Sequence, residues 1–342
     1  MTLSVKAVSV SALEAYKSEI PRDVPEGSVI AKIQKYLSQK SCIWGNPFEK
    51  VDYRKFAEHL MPSYHASQSK EIKESFLSVI RNEMKKKFPQ AHEVMLTAVD
   101  NETLDAFHFS GAEKKAILFL HGNGGFFETC FEQALQLKRI TEEDVHVMVL
   151  NPRGTGESTG VPVGLNLSLD VIAAFQYLVD VQKIDPSQIT IYGHSMGGCI
   201  GAQGAQALQE IYSHSLIQMI VDRSFGSLLD FQKDSIKAYE ATTQSRISKK
   251  MIELWNMDSV DSLLSLKGRV GVVSHSHDEV IDERLSLVSA LRDRHAFSSK
   301  KFEIVDLEEI DGEVRSKPHS RFFREDEFAN IRKLFQFISV SS

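Results

Sequence analysis

Two hydrophobic rhythms divide the chain near Ala91. Before it, apolar residues recur three and four positions apart. Val29, Ile30, Ile33 and Leu37 share one face of GSVIAKIQKYLSQK, and Ile72, Phe76, Val79, Ile80 and Met84 share one face of SKEIKESFLSVIRNEMKKK. The pattern predicts two amphipathic helices joined by an aromatic-rich connector, CIWGNPFEKVDYRKF. After Ala91 the rhythm shortens. EVMLTAVDNETLDAFHFSG reads as a hairpin turning at Asn101. Compact apolar runs follow: AILFL (116–120), VHVMVL (145–150), ITIYG (189–193), LIQMIV (216–221), VGVVSH (270–275) and KFEIVDL (301–307). Helical stretches such as LNLSLDVIAAFQYLVDV and GCIGAQGAQALQEIY lie between them. Short continuous apolar strands alternating with helices predict an α/β fold whose mostly parallel sheet is covered on both faces.

The same pattern sets the expected organisation. Residues 1–90 form a helical extension, and 91–342 form the α/β domain, with an insertion at about 225–265. Within that insertion Ile247, Met251, Ile252 and Trp255 make a stripe at helical spacing, which predicts a small cap above the sheet edge. The N-terminal stripes are too apolar to lie bare in water, so these helices are expected to pack on the domain. The sequence shows no internal repeat or low-complexity linker.

Composition narrows the function classes. A net charge of −6 leaves no broad basic surface for nucleic acid, and Lys85-Lys86-Lys87 reads as the solvated end of a helix. No apolar run approaches the roughly 18 residues of a membrane span. The first residues lack the basic and apolar regions of a secretory signal, so a cytoplasmic location is expected, with export by a specialised system the alternative. Cys42, Cys130 and Cys199 show neither disulfide-framework nor metal-site spacing, which fits a reducing compartment.

The chemistry concentrates at strand ends. In GHSMGG, Ser195 stands between Gly193 and Gly197 where ITIYG gives way to a helix. A sharp strand-to-helix turn there would expose the hydroxyl at the carboxyl end of the sheet. A serine nucleophile needs a base, and the base an orienting acid. SHDEVI, following VGVVSH, offers Asp278, Glu279 and Asp282, of which Asp278 comes first after the strand. Asp222, at the end of LIQMIV, is the alternative acid. His319 is the last histidine of the chain and follows the last strand, as the order Ser, acid, His requires. The amide of Met196, next to the serine, and that of Asn123 in HGNGGF are the candidate donors to an oxyanion. His275, His277 and Asp278 alternate as metal ligands can, but no partner ligands recur at a suitable spacing, so no metal is expected. Arg153 in NPRGTGES reads as a residue holding loops together, and Cys199 as helix packing.

With HGNGG, NPRGTGES, GHSMGG, the acid after the seventh strand and His319 in place, the chain resembles the α/β-hydrolases over roughly Ala91 to Val340. DNETLDA, HGNGG and DPSQITIYGHSMGG are similar to the Bem46-like and depalmitoylase-like serine hydrolases. The added helical N-terminus bears a fainter likeness to hydrolase-like proteins of intracellular bacterial pathogens. Two positions depart from the pattern: DEVI lacks the proline common after the acid, and His319 sits in KPHS rather than after a glycine. The resemblance implies cleavage of a carboxylic ester or thioester through an acyl-enzyme, without a cofactor. The substrate would be a small or lipid-like acyl compound, with peripheral membrane contact open. A catalytically silent binding module and a serine peptidase are the other readings.

Overall fold

The structure, a computed structural model, describes residues 53–243, 254–296, 301–307 and 317–339. The first elements are helical: α1 (Tyr53–Leu60), α2 (Pro62–Ser67), and a π-helical turn (Ile72–Leu77) that runs into α3 (Ser78–Lys87). A hairpin follows, β1 (Ala91–Thr97) and β2 (Thr103–Phe109). The alternating part comprises β3 (Ala116–Leu120), α4 (Phe127–Thr141), β4 (His146–Leu150), α5 (Gly164–Asp180), β5 (Ile189–His194), α6 (Met196–Ile211) and β6 (Gln218–Asp222). Next come α7 (Leu228–Thr243), α8 (Ser259–Ser265), β7 (Val270–Ser274), α9 (Leu287–Asp293), β8 (Phe302–Asp306) and α10 (Phe328–Ser339).

The strands form one eight-stranded sheet in the order β1-β2-β4-β3-β5-β6-β7-β8. β1 and β2 pair antiparallel, β2 meets β4 antiparallel, and β4 through β8 run parallel. Register explains why the parallel strands read as unbroken apolar runs. Met148, Leu118, Ile191, Met219, Val270 and Phe302 lie level across six strands and enter one core. Their neighbours Val149, Phe119, Tyr192 and Ile220 enter the opposite core. Because alternate side chains face opposite sides, a strand buried on both must be apolar throughout. The first core holds residues of α5 and α6, with Phe56, Leu60 and Tyr64. The second holds residues of α4 and α10, with Met84 of α3.

The hairpin turns where the sequence predicts: Asn101 takes φ 77, and the Ala98 N–H donates to the Glu102 carbonyl at 2.9 Å. The other predicted strands appear with ends shifted by at most two residues, and AILFL with none. Three N-terminal expectations need correction or lie out of reach. The stripe of Val29, Ile30, Ile33 and Leu37 falls outside the described residues. The second helix exists, with Met84 buried and Ile80 packed on the core as the pattern predicts, but Phe76 and Val79 are exposed and Leu77 is buried instead. The π turn is wider than an α turn, so it rotates the buried face onto Leu77. Of the aromatic-rich connector only Tyr53–Phe56 lie among the described residues, and they belong to α1. In the insertion, Trp255 is buried, whereas Ile247, Met251 and Ile252 lie outside the described residues. Among the described residues no helix is long and apolar enough to cross a membrane.

Candidate active site

The β5–α6 junction is built by close approach. A Cβ on Gly197 would lie 2.2 Å from the Leu120 carbonyl oxygen, and one on Gly193 would lie 2.4 Å from the Gly197 oxygen. Any side chain at either position would drive α6 off the sheet. Between them Ser195 adopts φ 53, ψ −123, a backbone region that costs a non-glycine residue about 1–3 kcal/mol. Three hydrogen bonds hold it there. The Ser195 N–H donates to the Asp222 carbonyl at 2.9 Å, and the Ser195 carbonyl accepts from Gly198 N at 2.9 Å and Ser224 Oγ at 2.7 Å. Packing and chemistry therefore share one turn.

Ser195 Oγ lies 2.9 Å from His319 Nε2, and His319 Nδ1 lies 2.7 Å from Asp278 Oδ2. A carboxylate only accepts, so Nδ1 carries the ring proton and Nε2 is left bare to accept from the serine hydroxyl. Burial pushes the Asp278 carboxyl up, but the His319 hydrogen bond and the N–H groups of Ile281 and Val280 hold it below the usual carboxylate range. Both of those amides donate to Asp278 Oδ1 at 2.8 Å, which leaves Oδ2 for the imidazole.

The rival acids serve elsewhere. Asp222 is buried and paired in parallel with Arg223, at 2.7 Å to Nε and 2.8 Å to Nη2. Burial raises its carboxyl, and the guanidinium more than offsets this, holding it below the ordinary range. Asp282 pairs with exposed Arg284. Glu279 accepts the His319 backbone N–H at 2.9 Å, a role that its sequence position beside Asp278 does not reveal.

Two further residues missed in the sequence hold the same loop. His194 lies with Nε2 2.7 Å from the His319 carbonyl; burial pushes its pKa down to about 4, so a neutral ring donates there. Arg223 Nη1 donates to the carbonyls of Pro318 at 2.5 Å and Arg321 at 3.1 Å. Lys317, at φ 59, makes the left-handed turn that a glycine would otherwise supply before His319. No sequence signal marks these contacts, because each depends on which loops meet.

The HGNGGF loop lies against the serine. A Cβ on Gly122 would stand 3.1 Å from Ser195 Cβ and 3.6 Å from its Oγ. Met196 is the first residue of α6, where backbone N–H groups lack helical acceptors. The Asn123 side chain is otherwise engaged, its Nδ2 donating to the Leu60 carbonyl at 2.8 Å, which leaves its backbone amide as the candidate oxyanion donor. Arg153 is buried between Asp170, 2.7 Å from Nη2, and Asp100, 2.5 Å from Nη1, so it ties loops together. Burial lifts the Cys199 thiol to about 12, which keeps it a packing residue. Among the described residues no group of His, Cys, Asp or Glu is arranged to hold a metal ion.

Comparison with known proteins bears on the fold that carries this site. Residues 115–222 match a family model of the alpha/beta hydrolase fold. Over 120 residues the chain is 36% identical to the multifunctional-autoprocessing repeats-in-toxin of Vibrio vulnificus, a stretch covering 35% of this chain and 2% of the toxin. It is 27% identical over 204 residues to the protein Bem46 of Schizosaccharomyces pombe, covering 57% of this chain and 64% of that one. The chain thus spans under two thirds of either relative. An esterase of Pyrococcus furiosus superposes with a TM-score of 0.56 at 18% identity, over 75% of this chain and 93% of the esterase. The protein has the alpha/beta-hydrolase fold, and its likeness extends to the Bem46-like branch.

Proposed function

We propose that this alpha/beta-hydrolase-fold protein is a serine hydrolase that cleaves a carboxylic ester or thioester through an acyl-enzyme on Ser195. The observation that carries the reading is the hydrogen-bonded chain Ser195–His319–Asp278, with links of 2.9 and 2.7 Å. His319 Nε2 takes the hydroxyl proton as Oγ attacks the acyl carbonyl. Asp278 holds the Nδ1 tautomer and stabilises the imidazolium that forms. The amides of Asn123 and Met196 receive the oxyanion, each such donor typically contributing on the order of 10²–10³ in rate. His319 then returns the proton to the leaving oxygen or sulfur. Water, activated by the same ring, attacks the acyl carbonyl, and its proton restores the Ser195 hydroxyl as the acid departs. These steps need no cofactor. A small or lipid-like acyl substrate fits this chemistry, and the esterase among the structural neighbours is consistent with it.

The test is a ranking of variants by turnover of a short acyl ester. Ser195→Ala and His319→Ala should each lower kcat by several powers of ten, and Asp278→Asn by about 10⁴. Asp222→Asn should cost far less turnover and chiefly lower the melting temperature, because it strips Arg223 of its buried partner. If Asp222→Asn instead proves as damaging to kcat as Asp278→Asn, the acid has been misassigned.

A further inference from the structure

Helices α1 and α2 do more than cover apolar surface. Their junction, Leu60-Met61-Pro62, lies on the tip of the loop that faces Ser195. The Leu60 carbonyl accepts the Asn123 Nδ2–H at 2.8 Å, and a Cβ on Gly124 would meet Pro62 Cβ at 3.9 Å. On the other side α1 grips the insertion. The buried Phe56 ring meets Tyr239 edge-on at 5.3 Å and Trp255 at 6.2 Å, and His59 Nε2 lies 2.7 Å from the Ser235 carbonyl. α2 ties a third segment, since Ser67 Oγ accepts from Gly156 N at 2.9 Å in the NPRGTGES turn. One helical pair thus joins the HGNGGF loop, the NPRGTGES turn and the insertion.

We propose that residues 53–67 act as a positioning strap for the reaction, with the Leu60 carbonyl aiming the Asn123 backbone amide through the Asn123 side chain, and Phe56 fixing where that carbonyl sits. This rests on the hydrolase reading above. The chain of effect is short. Asn123 is exposed on the loop, and its side chain anchors to α1 while its backbone amide is the oxyanion donor of the reading above. An oxyanion donor works only when aimed in advance at charge that appears in the transition state. Holding the loop from outside therefore affects kcat rather than substrate binding. Asn123 and Phe56 are positioning residues in this account, because neither side chain touches the reacting atoms.

The test uses the full chain and four variants: Asn123→Ala, Asn123→Asp, Phe56→Ala and the double Phe56→Ala/Asn123→Ala. Losing one such hydrogen bond should lower kcat about two- to tenfold, with KM changed less than about twofold. Asn123→Asp should cost at least as much, since it sets a carboxylate against the Leu60 carbonyl. Phe56→Ala should also lower kcat, and the double variant should be no worse than the poorer single, because both act through one bond. Hydrogen exchange of residues 121–126 should quicken in Phe56→Ala as well as in Asn123→Ala. Should Phe56→Ala fail to fold, Phe56→Leu takes its place, and the Asn123 pair still decides. Unchanged kcat in Asn123→Ala, a rise confined to KM, or single effects that multiply in the double variant would overturn the strap. A wild-type chain with no Ser195-dependent turnover would sink the hydrolase reading instead, and the exchange rates would still decide whether α1 holds the loop.

Discussion

At the scale of single residues, buried groups in the site and on β2 are kept in one protonation state by their surroundings. Burial pushes His194 down to about 4, and His108 down to about 3 with His146, His92 and Lys138 adding to the effect. Unfolded histidines titrate near 6.5, so between about 6.5 and those lower values the unfolded chain binds protons that the folded one refuses. Stability is therefore complete above about pH 6.5 and falls as pH drops through that window, by up to about 1.4 kcal/mol per pH unit for each histidine. Asp222 and Asp278, both held below the ordinary carboxylate range, add to the loss on further acidification. The melting temperature should fall steadily from pH 7 to pH 4, and His108→Phe should flatten the slope. A melting temperature that rises on acidification would refute this account of the buried groups. Ser195, His319 and Asp278 could be singled out in the sequence because Ser195 and Asp278 closely follow strands and His319 is the last histidine after the last strand. Glu279, His194 and Arg223 were not, since their partners are backbone atoms of a loop remote in sequence.

At the scale of elements, the N-terminal helices are built into the domain's polar core as well as its apolar one. Arg81 of α3 pairs with Asp105 at 2.7 Å and with Glu128, both of them fully buried carboxylates that Asn151 Nδ2 also meets. Phe56, Leu60, Met61, Tyr64, Leu77 and Met84 are buried with it. A chain beginning at Ala91 would leave two buried carboxylates without their cation, typically a loss of about 3–5 kcal/mol. It would also expose several apolar contacts worth about 1.5–3 kcal/mol each, against a typical native stability of about 5–15 kcal/mol. Such a chain should aggregate or melt far below the full protein. An unchanged melting temperature would show instead that residues 1–90 form an independent module. The central strands β3 to β7 were legible because burial on both faces makes them largely apolar. In the second N-terminal helix Ile80 and Met84 pack as its pattern predicts, but Phe76 and Val79 do not, because the π turn at the start of the helix breaks the 3.6-residue period on which their reading relied.

At the scale of the whole molecule, the sheet order places β3, β5, β6 and β7 side by side, so that their carboxyl ends bring HGNGGF, Ser195, Asp222 and Asp278 to one edge. The loop after β8 returns His319 to the same edge, where Glu279, His194 and Arg223 hold its backbone. The fold class followed from alternation alone. The clamp on His319 and the strap on Asn123 needed three-dimensional neighbours. The central claim is that Ser195 is an activated nucleophile, and covalent labelling tests it most directly. The full chain treated with a fluorophosphonate should carry one phosphonyl adduct, mapped by peptide mass spectrometry to Ser195. That adduct should vanish in Ser195→Ala and form far more slowly in His319→Ala. A wild-type chain that stays unlabelled, or an adduct that persists in Ser195→Ala, would contradict the account.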